Sequence, residues 1–290
     1  MMKKTGYFFY TFVPLLVVEA IQTIAMLFMY GTGILSQLLV GKLVFPSASI
    51  ADRIQDTLLS SDFNIMIMVI YSLITIAIFG MWYYARYGGE YLPSLKKTFH
   101  PLMIAAIVIL VPGTQFAAGY LVSFASIIRP DWLEQYNQLF ETSGINDTTF
   151  LTVLYSVILA PICEELIFRG VTMRCARKAL PFWLANIMQA ALFGLFHLNW
   201  IQGIYAFALG IVLGYVCERG GSIYYSMGLH FLFNLWGTLS VFLPDTESTS
   251  VAIIVVVVTV VSLVAGFVMF YVGRNKRDHK PIEVSVEAAI

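Results

Sequence analysis

Charged side chains are scarce. They make up 12% of the 290 residues, where a soluble domain carries roughly 25%, and 59% of the chain is hydrophobic. A polypeptide this apolar cannot cover itself with a water-facing surface, which excludes an ordinary soluble enzyme. Charge of one sign is lacking as well: 17 Lys and Arg balance 17 Asp and Glu. The balance says nothing about nucleic acid and gives no field to steer an anionic partner. Cysteine is rare. Cys163, Cys175 and Cys217 lie in or beside apolar runs, and their odd number and spacing fit neither a disulfide framework nor a metal site. They read as small buried hydrophobes.

Other signals are missing too. The apolar run after Lys3 and Lys4 continues past Met29 with no small-x-small cleavage site, so it reads as a retained first span and not as a signal peptide. No inverted repeat of the transporter kind is visible. The segment after Lys276 is a short polar tail, expected to be disordered.

What the sequence has is length in its apolar runs. About 20 apolar residues cross a bilayer as a helix. Runs near that length occur at Tyr7–Leu39, Phe63–Tyr84, Pro101–Ile128, Phe150–Phe168, Leu180–Leu198, Ile201–Val216, Ile223–Leu243 and Val251–Val272. They predict an all-α fold, a polytopic membrane bundle of about eight transmembrane helices, or seven if the short run at Ile201 does not cross. With Lys3 and Lys4 in the cytoplasm, Arg86, Lys96, Lys97, Arg174, Arg177, Lys178, Arg219, Arg274, Lys276 and Arg277 fall on that same side. Asp131, Glu134, Glu141, Asp147, Asp245 and Glu247 fall on the other, with only Lys42, Arg53 and Arg129 as bases. That sorting obeys the positive-inside rule and predicts that both termini are cytoplasmic.

Ionisable groups within spans cost several kcal/mol and are functional candidates by default. Glu19 and Gln22 lie in the first span, with nothing to choose between a cavity lining and a helix contact. In Pro161-Ile-Cys-Glu-Glu-Leu-Ile-Phe-Arg169, Glu165 and Arg169 are four apart and share a helix face, acid first. Glu164 points about 100° away. The bland reading is a structural ion pair with a spare glutamate. The sharper one lets Arg169 hold Glu165 while Glu164 faces a cavity as a general base.

His197 alone would read as an interhelical hydrogen-bond partner. His230 and Asn234, four apart on one face, fit either interhelical glue or a pair of donors for a water or developing oxyanion. Together a carboxylate base, two imidazoles and an amide are what peptide hydrolysis needs.

Glu164-Glu165-x-x-x-Arg169, Phe193-x-x-x-His197 and His230-x-x-x-Asn234, in that order on three spans, resemble the signature of the CPBP family. That family includes the type II CAAX prenyl endopeptidases (CAAX prenyl protease 2, acting in CAAX-box protein processing) and the bacterial Abi or bacteriocin-immunity proteins. The resemblance covers roughly Phe150 to Leu243. It implies an intramembrane endopeptidase in which Glu164 activates water with His197 assisting, His230 and Asn234 form an oxyanion hole, and Glu165, Arg169 and Phe193 shape the site.

Members of the family have been described both as metalloproteases and as glutamate proteases. Glu164, His197 and His230 are a ligand set zinc would accept. No His-Glu-x-x-His helix is present, however, and the paired Glu165 and Arg169 leave few carboxylates to orient the imidazoles. The expectation is therefore glutamate-activated water without a cofactor.

The chain divides on this reading into a three-span region (1–149), the motif-bearing core (150–243), a last transmembrane helix (244–276) and the tail (277–290). The expected partners are membrane lipid and a membrane-anchored peptide or protein, with no nucleic acid, in a multi-pass bacterial plasma-membrane protein. The alternative is a membrane regulator or immunity protein that acts by binding. Counted along the helices at 1.5 Å per residue, Glu164, His230 and Asn234 lie roughly 12 to 18 Å from the basic loops and His197 about 25 Å. The site is expected to open toward the cytoplasm.

Overall fold

The structure, a computed structural model, describes residues 3–44, 49–91, 99–143, 149–240 and 249–275. Its helices are α1 (Lys4–Leu39), α2 (Ile50–Leu59), α3 (Ser61–Tyr91), α4 (Pro101–Ile128), α5 (Pro130–Ser143), α6 (Phe150–Arg177), α7 (Phe182–Phe196), α8 (Trp200–Gly220), α9 (Ile223–Ser240) and α10 (Thr249–Asn275). No strand occurs among the described residues. The polar tail and the 243/244 boundary lie outside them.

Every one of the eight apolar runs forms a helix, and six (α1, α3, α4, α6, α8 and α10) are long and apolar enough to cross a membrane. The other two are the helices that carry the histidines. α7 has 15 residues, about 22 Å of rise, short of a hydrocarbon core of about 30 Å. α9 has 18, but its serines, His230 and Asn234 dilute its apolar character. Two shorter polar helices, α2 and α5, were not among the apolar runs.

Small residues set the helix spacing, as packing within a membrane requires. A Cβ on Gly113 would meet Leu263 at 2.8 Å, one on Gly266 would meet Leu110 at 2.6 Å, and one on Gly273 would meet Met103 at 2.7 Å, so α4 and α10 run antiparallel in close contact. Pro112 interrupts the α4 ladder beside this seam. Ser262 fills the gap: its hydroxyl accepts from the Gly113 N–H at 3.0 Å and donates to the Ile109 carbonyl. α7 and α8 interlock likewise. A Cβ on Gly194 would lie 2.7 Å from the Gly203 carbonyl, and one on Gly210 would lie 3.0 Å from Ala190.

The two ends of the bundle are chemically distinct. At one end Lys178 stands over the rings of Tyr7 and Tyr87, Arg177 pairs with Glu218 at 3.1 Å, Arg219 covers Phe182 and the His100 N–H donates to the Tyr225 hydroxyl. At the other, Tyr30 stacks on Phe63, Trp132 of α5 stacks on Trp200 at 5.3 Å, and Arg129 pairs with Asp131. The first end is basic. The second carries six exposed carboxylates: Asp52, Asp56, Asp62, Asp131, Glu134 and Glu141.

Candidate active site

The site begins with an irregularity in α6. Two of its segments, Leu154–Leu159 and Leu166–Thr172, are π-helical and bracket the α-helical Ala160–Glu165. π-Segments inside α-helices often mark functional positions. Here a local cause is visible. In an α-helix the Ser156 carbonyl would accept from the Ala160 N–H, but that N–H donates to Tyr155. The next donor along is residue 161, and Pro161 has none. The Asn234 side chain supplies the missing partner, donating Nδ2–H to the Ser156 carbonyl at 2.8 Å. This bond ties α9 to α6 about two turns from the glutamate pair.

Glu165 is the hub. Its Oε1 accepts from Arg169 Nη1 at 2.9 Å and from His230 Nδ1 at 3.0 Å. Glu165 and Arg169 are wholly buried and His230 nearly so. The guanidinium lies over the Phe193 ring at 4.5 Å and reaches the Gly210 carbonyl at 3.4 Å. Such a pair need not stabilise the fold relative to an apolar filling, but removing one member leaves a buried charge uncompensated.

Because Glu165 accepts at Nδ1, the proton on His230 sits at Nδ1 and the ring's other nitrogen is directed away. That Nε2 lies 3.6 Å from Glu164 Oε2. The gap exceeds a hydrogen bond, yet one water can sit within reach of both atoms. Glu164 is therefore the carboxylate not committed to Arg169, and its side chain keeps 12% of its surface.

His197 terminates α7. Its Nδ1–H donates to the Phe193 carbonyl at 2.8 Å, one turn back, so the lone pair sits on Nε2. Leu198 follows with φ of 51°, a left-handed residue that lets the chain reverse at once, and Asn199 caps α8 by accepting from the Gln202 N–H at 3.1 Å. The Phe193 ring packs edge-on against both imidazoles, His197 at 4.9 Å and His230 at 5.9 Å. Phe193 thus touches Arg169, His197 and His230.

The structure brings Glu164, Glu165, Arg169, Phe193, His197 and His230 into one contact network, with Asn234 bonded to the same helix as the glutamates. Glu19 is half-buried and Gln22 exposed, and neither takes part in the hydrogen bonds of that network. The three cysteines are free and buried. Among the described residues no group of three or more His, Cys, Asp or Glu is arranged to hold a metal ion.

Two residues of the surroundings escaped the sequence reading. Gln189 donates to the Gly210 carbonyl at 2.9 Å and to Asn186 Oδ1 at 2.8 Å, and Asn186 donates to the Ile211 carbonyl at 2.9 Å. Both amides are wholly buried. Gln189 shares the Gly210 carbonyl with Arg169, so the α7–α8 seam and the ion pair form one network. The available signal was two amides three apart in an otherwise apolar helix.

Residues 146–236 match the family model of the type II CAAX prenyl endopeptidase Rce1-like proteins. All three motifs fall inside this region, so the resemblance read from the motifs and the family match agree. The matched region begins just before α6 and ends within α9 of a multi-pass helical protein. A stretch of 119 residues is 25% identical to a protein of Bacillus subtilis (strain 168) described as uncharacterized protein YpbD, covering 39% of this chain and 60% of that one. The match thus spans less than two thirds of the relative's length. No solved structure matches the chain.

Proposed function

We propose that the chain is an intramembrane endopeptidase that hydrolyses a peptide bond of a membrane-associated protein or peptide with water activated by Glu164. One observation carries this reading. The His230 ring is seated between two adjacent carboxylates, 3.0 Å from Glu165 and 3.6 Å from Glu164, although 65 residues separate it from Glu165. Only one of the two acids is neutralised by Arg169, which leaves the other free to take a proton.

In the proposed reaction a water lies against Glu164 Oε2 and His230 Nε2. The Glu164 carboxylate accepts a proton as the water oxygen attacks the peptide carbonyl carbon. The lone pair of His197 Nε2 offers a second acceptor for that water. The oxyanion meets the amide N–H of Asn234 not used by Ser156. Glu164 then returns its proton to the leaving nitrogen as the C–N bond breaks, releasing an amine and a carboxylic acid that gives up its proton to solvent. No step passes through a metal.

The test is cleavage of a membrane-tethered peptide library by purified wild type and Glu164→Gln protein, each with and without a strong chelator. Cleavage by wild type alone, indifferent to chelator, is expected. Chelator-sensitive cleavage would replace the glutamate mechanism by a metal-dependent one. Absence of cleavage by folded wild type would shift the reading to a membrane protein that acts by binding.

A further inference from the structure

The site is not centred between the two ends of the bundle. Toward the basic end it is closed: Glu165, Arg169, Asn186, Gln189 and Phe168 are wholly buried, and so is Tyr225 at the start of α9. Toward the acidic end exposure grows. Glu164 keeps a little surface, Ser156, Asn234 and His197 are half-buried, and His197 stands at the α7–α8 turn itself. That turn is at the acidic end, since Trp200 just beyond it stacks on Trp132 of α5. This is the reverse of the opening expected from the loop charges.

We infer that the site takes its peptide from the acidic end of the bundle, beside α5 and the α7–α8 turn, and that this end lies on the membrane face opposite the basic loops. The inference rests on the proteolytic reading above. Basic loops are retained on the cytoplasmic side, and Arg86, Arg177, Lys178, Arg219 and Arg274 all flank helix ends at the basic end. Water and substrate then reach Glu164 from the non-cytoplasmic face. The substrate class is a peptide segment exposed on that face. Six exposed carboxylates there, against the exposed Arg129 already paired with Asp131, favour a segment that is neutral or cationic.

α5 marks the entrance. It follows α4 directly at Arg129 and Pro130, and its Trp132 lies on Trp200 of α8. An incoming peptide would pass this helix before reaching His197.

Thiol labelling of the full-length protein in intact cells tests the inference without depending on turnover. The probe is a membrane-impermeant maleimide, and the buried native cysteines give little background. Leu198→Cys, 84% exposed in the native residue, is expected to label in intact cells, while Asn275→Cys at the basic end labels only after permeabilisation. Asn234→Cys and His197→Cys, made for accessibility and checked for folding by size-exclusion chromatography, are expected to label from the same side as Leu198→Cys. Labelling of Leu198→Cys only after permeabilisation overturns the assignment of the face. Labelling of Leu198→Cys from outside but of Asn234→Cys and His197→Cys only from inside overturns the direction of entry. If neither site cysteine reacts in either condition, no water path leads in from the acidic end and the inference also falls. A wild type that cuts no peptide while these labels behave as expected would remove the protease reading and leave the topology standing.

Discussion

Asn234 bonds to the carbonyl of Ser156 because Pro161, five residues further along α6, has no N–H to give it. A sequence motif and a backbone defect on another helix are thereby one structural unit. Asn234→Ala leaves a largely buried carbonyl unpaired and is expected to destabilise the protein by about 1–3 kcal/mol. Pro161→Ala restores a donor at position 161, so the double variant should recover part of that loss. Unfolding in detergent micelles, followed by helical signal, measures both. Simple addition of the two effects would show that Pro161 and Asn234 are not coupled through Ser156.

Glu165→Ala strands the Arg169 guanidinium in a wholly buried position and removes the hydrogen bond that fixes the His230 ring. A loss of roughly 3–5 kcal/mol is expected, together with loss of cleavage. Replacing both members, Glu165→Ala with Arg169→Met, should restore much of the stability and none of the activity. Recovery of activity in the double variant would assign Glu165 and Arg169 a purely structural role.

Glu164→Gln differs in kind. The side chain retains some exposure and stands 3.6 Å from His230, so its amide isostere should change stability by no more than about 1 kcal/mol. Cleavage should fall by about 10²–10⁴-fold, the scale of a lost general base. A variant that keeps wild-type turnover in the tethered-peptide assay would remove Glu164 from the mechanism.

Two glycine substitutions, one in the α7–α8 seam and one on an open face of α4, form a matched pair. A methyl at Gly194 would lie 2.7 Å from the main-chain carbonyl of Gly203, and neither backbone can yield without moving α7 and the His197 at its end. Gly194→Ala should cost about 1–3 kcal/mol by overpacking and depress cleavage. Gly119→Ala on α4 meets nothing within 4 Å, and should gain about 0.5–1 kcal/mol from the helix preference of alanine. Melting temperatures moving in the same direction for both would refute the close-approach account.

The sequence by itself determined that this is a multi-pass helical membrane protein, because long apolar runs have no other way to satisfy their backbone. It also named the charged and polar residues of the site, because groups that expensive to bury stand out in apolar helices. The periodicity of the helix placed Arg169 with Glu165 and Asn234 with His230. It did not place Asn186 and Gln189, since an amide in a helix shows no partner until the facing carbonyl is known.

Only the tertiary structure decided how those residues are shared. Which glutamate Arg169 neutralises was legible from spacing. That His230 bridges both glutamates depends on how α9 packs against α6, and no local pattern encodes it. The direction in which the site is exposed is likewise set by packing. Bases in the loops orient a membrane helix, whereas the closure of one end of the site depends on which side chains from separate helices meet there.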